Sequence, residues 1–256
     1  MPEWYVALSV CGPISVRRRL FINVEKGYDL PFWTNVSISR IYNGVKIEVT
    51  ARAEGQEEAN EAGLFFVGQA LDVLSLRTNL PITMFLADSE NEIKTIGAKR
   101  LVVEQEWEEV FRSGRYLGLT RPAFSRAVSW YRKGLESNNP IDRFMALWTS
   151  MESVASQCAR QNERTALGII NKICDCFDQL WTDEAHWKVI PSNVAHLNKL
   201  YNYRNTITHG AVAIQIENLK EIAHELSLVQ TLAFNFLTDA EHNLTERHDH
   251  ERRAAT

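Results

Sequence analysis

Apolar residues in this chain recur every second position in its first part and every third or fourth in its last, with the change around residues 114–122. A period of two builds half-buried strands and a period near 3.6 builds amphipathic helices, so no single uniform fold satisfies both. The expected class is α+β: a mixed α+β module over residues 1–115, an all-α bundle of four or five helices over residues 120–240, and a polar tail over residues 241–256 expected to lack regular structure. At 256 residues and 45% apolar content, each part can bury a core.

In the first part, residues 38–42 and 45–49 alternate on either side of Asn43-Gly44. That reads as a hairpin with a type I′ turn, whose two central residues need positive φ. Residues 4–10, 16–24, 82–86 and 99–103 read as further strands. Residues 57–76 carry Leu64, Val67, Leu71 and Leu74 at helical steps. Beyond residue 122 there are four apolar stripes, to which residues 123–135 add a further helical stretch: Ile141, Phe144, Met145, Trp148, Met151 and Ala155; Ala166, Ile169, Ile173 and Phe177; Val194, Leu197 and Tyr201; and Leu219, Ile222, Leu226, Val229 and Ala233.

Composition removes several function classes. Charged residues make up 23% and the net charge is -4, an ordinary globular profile. No apolar run reaches the ~18–20 residues of a membrane span. Glu3 stands where a signal peptide carries positive charge, so residues 4–10 are expected as a first strand and the protein as cytoplasmic. Four cysteines are too few for a disulfide framework. Cys174-Asp175-Cys176 lacks the second pair a structural zinc needs, and two half-buried thiols are expected there. His224-Glu225 is not followed by the second histidine of a zincin motif, and His242, His248 and His250 belong to the polar tail. A Gly-rich phosphate loop and Gly-x-Ser-x-Gly are both absent from the sequence. No metal site and no cofactor are expected.

Chemistry concentrates in Tyr203-Arg204-Asn205-Thr206-Ile207-Thr208-His209-Gly210. Val194, Leu197, Tyr201, Arg204 and Thr208 step by three and four, which puts the Arg204 guanidinium on an inward-facing stripe. It cannot lose its charge, so it must find an anion or several acceptors. Asn205 and His209 stack four apart on the adjacent face, one turn above Tyr201. His209 falls in the last helical turn, where the dipole favours a protonated imidazole, and Gly210 suits the left-handed position after it. On another helix, Met145, Trp148, Glu152 and Ala155 place a carboxylate within a core stripe, and Arg204 is its natural partner. The pair serves either packing alone, with His209 merely ending a helix, or the handling of a phosphodiester.

Residues 143–153 (Arg143-Phe144-Met145-Ala146-Leu147-Trp148-Thr149-Ser150-Met151-Glu152-Ser153), followed about 50 residues later by Tyr203-Arg204-Asn205, His209 and Gly210, resemble a HEPN domain of the ApeA-like and MauJ-like branch over residues 122–240. That resemblance implies a metal-independent endoribonuclease in which the ribose 2′-OH attacks its own phosphate, leaving a 2′,3′-cyclic phosphate. It implies catalytic Arg204, Asn205 and His209, with Glu152 and Tyr201 in support. It also implies a homodimer through the bundle, a tRNA or mRNA substrate, a possible regulatory partner protein, and a role in prokaryotic defence or stress response. A catalytically silent dimerisation or scaffold protein is the alternative.

One feature disfavours avid electrostatic binding. Residues 121–240 hold 12 Lys+Arg and 12 Asp+Glu, so the helical part carries no net charge. The local clusters Arg17-Arg18-Arg19 and Arg121, Arg126, Arg132 and Lys133 read as solvated surface charge.

Overall fold

Alternation along β1 (Glu3–Cys11) buries Val6, Leu8 and Val10 on one face. The computed structural model describes residues 2–26, 32–87, 98–209 and 216–254, in two units, Met1–Thr120 and Arg121–Thr256. In the first unit, β1 sits between β5 (Gly44–Arg52) and β6 (Thr83–Leu86) in an antiparallel sheet ordered β3-β4-β5-β1-β6, with β3 at Leu20–Lys26 and β4 at Phe32–Ile41. Short β2 (Ile14–Ser15) and β7 (Arg100–Leu101) form a separate parallel pair. The expected strand over 16–24 therefore starts later, and that over 99–103 shrinks to two residues.

The expected hairpin forms, but its turn differs. Ile41 pairs with Gly44, so Tyr42 and Asn43 make the connection, and Asn43 is not among the described residues with positive φ. Gly44 has φ 156, and a Cβ there would lie 2.1 Å from the Val10 carbonyl oxygen. The glycine is needed because β1 passes against the first residue of β5, and not for a left-handed turn.

Helix α1 (Gln56–Thr78) packs on β1 and β5, and α2 (Glu104–Thr120) packs on α1. Helix α2 occupies the stretch expected to be a boundary. Trp107, Val110, Phe111, Gly114 and Leu117 bury one stripe, and a Cβ on Gly114 would stand 2.6 Å from the Gln69 carbonyl oxygen, so the two helix backbones nearly touch.

The second unit holds α3 (Pro122–Glu136), α4 (Pro140–Cys158), α5 (Glu163–Ala166), α6 (Ile169–Trp181), α7 (Val194–His209) and α8 (Ile216–Ala254), with a 3-10 turn at Glu184–His186. The chain is thus α+β with a helical second part, as expected. Asn139 starts α4: its side-chain oxygen accepts from the Ile141 and Asp142 amides at 2.9 and 3.4 Å, and Pro140 occupies the first turn.

Packing on α3, α6, α7 and α8 makes α4 the centre of the bundle. It accordingly buries more than one stripe: Ala146, Leu147 and Val154 are buried, while Ile141 and Met145 are only half-buried. Phe177 of α6 anchors an aromatic cluster, with ring centroids 4.7 Å from Trp181, 5.3 Å from Trp187 and 5.1 Å from Phe236.

Three expectations need correction. Ala166 is exposed and belongs to the separate α5, because Gly168 (φ 139) breaks the chain before α6. Backbone helix continues through residues 241–254, where a tail without regular structure was expected; the segment has Glu, Arg and Ala, good helix formers, and neither Gly nor Pro to stop it. Cys174 and Cys176 are fully buried, not half-buried. The side chains of Leu219, His248 and His250 lie outside the described residues. Among the described residues no helix is long and apolar enough to cross a membrane.

Burial pushes the thiols of Cys158 and Cys174 up to about 11, against a partial pull from Arg121 and Arg164 respectively, and raises Cys176 as well. A thiolate is the reactive form, so native protein at pH 7.5 should react with a maleimide at these three sites orders of magnitude more slowly than urea-unfolded protein. Rapid labelling of Cys176 in the folded state would contradict this burial.

Candidate active site

Helix α7 begins at Asn193, whose side-chain oxygen accepts the His196 amide at 3.0 Å. Its inward face then carries Leu197 (fully buried), Tyr201 and Arg204 toward α4, the spacing expected from the sequence. The Arg204 Nη2 donates to Glu152 Oε2 at 3.2 Å. Its Nε lies 3.0 Å from Glu152 Oε1, near enough for charge pairing but misaligned for a hydrogen bond, so that N–H has no hydrogen-bond acceptor among the described residues. The Nη1 donates to the Asn205 side-chain oxygen at 3.2 Å.

A fourth residue completes the network. Trp148, one turn before Glu152 on α4, donates its indole N–H to Glu152 Oε1 at 2.9 Å. Tyr201 tilts against Trp148, with ring centroids 6.4 Å apart. Glu152 is thereby fixed from two sides, by an indole and by a guanidinium, and both charges are mostly shielded: the side chains are 15% and 24% exposed. A carboxylate so placed holds the guanidinium in one orientation. The network uses two of the five guanidinium N–H donors in hydrogen bonds, leaving others for an incoming anion.

Sequence spacing pointed to Arg204, Glu152, Asn205 and Tyr201, and the structure brings these four together. His209 ends α7 as expected; its side chain, and Gly210 entirely, lie outside the described residues. Trp148 was read only as core. The signal available was its i,i+4 relation to Glu152, which places both on one helix face. Arg143, at the start of the segment 143–153, points elsewhere and donates to Gln230 of α8.

A second polar cluster, unforeseen, ties α7 to α8. Glu225, a buried acid, receives Lys199 Nζ at 3.0 Å and lies 2.9 Å from His196 Nε2. The Tyr203 hydroxyl donates to Glu221 at 2.8 Å. Asp175 of α6 is likewise buried, held by the Arg160 side chain at 2.6 and 2.9 Å and by the Arg160 amide at 2.8 Å. Burial works against both carboxylate charges, but the hydrogen bonds of Arg160 (to Asp175) and of Lys199 and His196 (to Glu225) outweigh it, holding both acids below the usual carboxylate range.

Depressed folded pKa values stabilise the native state fully above the unfolded values, about 4 for these acids, and that stability is lost as pH falls through the folded values. Thermal stability should therefore be level from pH 7 to 5 and drop below pH 4, and Asp175→Asn with Glu225→Gln should flatten that drop. An unchanged acid slope in the double variant would contradict this assignment.

Comparisons with family models, with curated proteins and with solved structures return no match to this chain. The chemistry open to the site therefore follows from its own groups: a fixed guanidinium with free donors, an amide beside it, and a histidine one turn further along the same helix.

Proposed function

We propose that the second unit is a metal-independent endoribonuclease with Arg204, Asn205 and His209 at its centre. The observation that carries this reading is the orientation of Arg204: a guanidinium held at a half-buried position by Glu152 and Trp148, with N–H donors left over. Such a group meets a phosphate and neutralises charge as a pentacoordinate transition state forms, at little cost in reorganisation. His209 transfers the proton between the ribose 2′-OH, the phosphate and the leaving 5′-oxygen, a contribution of about 10²–10⁴-fold. Asn205 orients the guanidinium and Tyr201 supports the Trp148–Glu152 face. The nucleophile belongs to the RNA, so DNA is inert. We further infer a cytoplasmic homodimer that joins two such helices at one site, acting on tRNA or mRNA in defence or stress response, under the control of a regulatory partner protein.

One observation favours the silent scaffold instead. Glu152 already neutralises Arg204, and an ion pair of that kind can serve packing alone. Expression in a bacterial host separates the two. The nuclease slows growth and Arg204→Ala relieves it; equal toxicity of wild type and variant would favour the scaffold.

A further inference from the structure

We propose that the outer face of α3 is a docking strip for single-stranded RNA, with Trp130 stacking one base and Arg126 and Lys133 taking the phosphates beside it. This rests on the nuclease reading for its biological sense, but on separate residues.

From Arg121 to Leu135 there is no acidic residue, while Arg121, Arg126, Arg132 and Lys133 are basic. Arg132 is used up by Glu136, one turn further along. Arg126 and Lys133 are exposed and form no ion pair among the described residues. Positions 126, 130 and 133 step by four and three, so both cations flank Trp130 on one helix face. Trp130 is 38% exposed, where its neighbours Val128 and Tyr131 are buried. The Lys133 ammonium sits 4.5 Å from the centre of the indole ring.

Trp130 keeps 38% of its surface in solvent, between two cations that have no ion pair among the described residues, and packing leaves that part of the indole unaccounted for. Stacking accounts for it: every base has a π-face, and an aromatic platform with adjacent cations binds a strand with little regard to sequence. The neutral net charge of this unit hides the strip: Arg121, Arg126, Arg132 and Lys133 are four of its 12 cations, and the one acid on α3, Glu136, is paired with Arg132.

Position fits the same conclusion. Helices α3 and α4 are joined by residues 137–139 and pack side by side, so they run antiparallel. A Cβ on Gly134 would stand 2.7 Å from Leu147 Cγ, which sets those two residues level. Trp130, about 6 Å back along α3, is then level with Met151, beside Glu152. Helices α3 and α7 both pack on α4, so at interhelix spacings of about 8–10 Å their axes lie within about 20 Å of each other. A strand stacked on Trp130 is thus held at the level of Glu152 along the bundle.

The test is a fluorescence-anisotropy titration of the full chain with labelled 2′-O-methyl oligouridine, which lacks the nucleophile and cannot be cut. The expected result is that Trp130→Ala weakens binding about tenfold, Trp130→Phe retains most of it, and duplex RNA competes poorly. Arg126→Gln with Lys133→Gln should reduce the slope of log affinity against log salt by about 1.4, for two phosphate contacts at ~0.7 each. Absence of binding by the wild type, or wild-type affinity in Trp130→Ala, would overturn the strip. Oligoglutamate that displaces the probe with the same variant dependence would assign the face to an acidic protein and overturn it too. Should Trp130→Ala fail to fold, the charge variant still decides through its salt slope. Failure of the nuclease reading looks different: cut RNA remains cut by Arg204→Ala, whatever oligouridine does.

Discussion

Arg204→Ala is expected to lose RNA cleavage by about 10²–10³-fold, the scale on which removing one preorganised donor to a transition-state oxygen is felt. The same variant should lose about 1–3 kcal/mol of stability, because Glu152 is left as a shielded carboxylate with only the Trp148 indole for company. Two effects in one variant invite confusion, and a double variant separates them. Arg204→Met with Glu152→Gln removes both charges and keeps the volume and the indole hydrogen bond, so its melting temperature should return near that of the wild type while cleavage stays absent. Restored cleavage in that double variant would show that Arg204 acts through folding alone. Lysine is no substitute either: it supplies one point charge where the planar guanidinium bridges Glu152 and Asn205 at once.

Gly44→Ala carries the largest expected effect on stability. Its φ of 156 is strained for any side chain, and the added methyl would be placed 2.1 Å from the Val10 carbonyl oxygen in β1, which is backbone and cannot rotate away. Backbone strain of about 1–3 kcal/mol adds to the cost of pushing apart two paired strands, and a total on the order of 3–5 kcal/mol follows. Urea unfolding followed by near-UV circular dichroism checks it, alongside Gly55→Ala, whose Cβ meets no atom within 4 Å. A wild-type midpoint for Gly44→Ala would mean that β1 and β5 do not pair in the register Cys11↔Gly44.

Much of this architecture was legible because burial enforces a period. The stripe Leu197, Tyr201, Arg204 put a cation on an inward face, and Glu152 did the same for an anion; two inward-facing opposite charges on neighbouring helices have few alternatives to pairing. Helix α2 was missed: Trp107, Val110, Phe111 and Leu117 carry a helical stripe, but Gly114 and Gly118 resemble a linker until one sees that Gly114 lies against the α1 backbone. The turn before Gly44 was misplaced because Asn-Gly is the usual left-handed pair, and a glycine required by a third strand leaves the same trace in sequence. Asp175 and Glu225 were invisible for another reason. Their partners Arg160, Lys199 and His196 are brought to them by tertiary packing, and no short-range spacing encodes that.

The central claim is the chemistry of the second unit, and the ends of its products test it most directly. Purified protein is incubated with total tRNA and mRNA in EDTA, beside Arg204→Ala and His209→Ala, and the product termini are analysed. Discrete cuts ending in 2′,3′-cyclic phosphate and 5′-hydroxyl, absent from both variants, are the result expected of this site. Identical cleavage by all three proteins would contradict it.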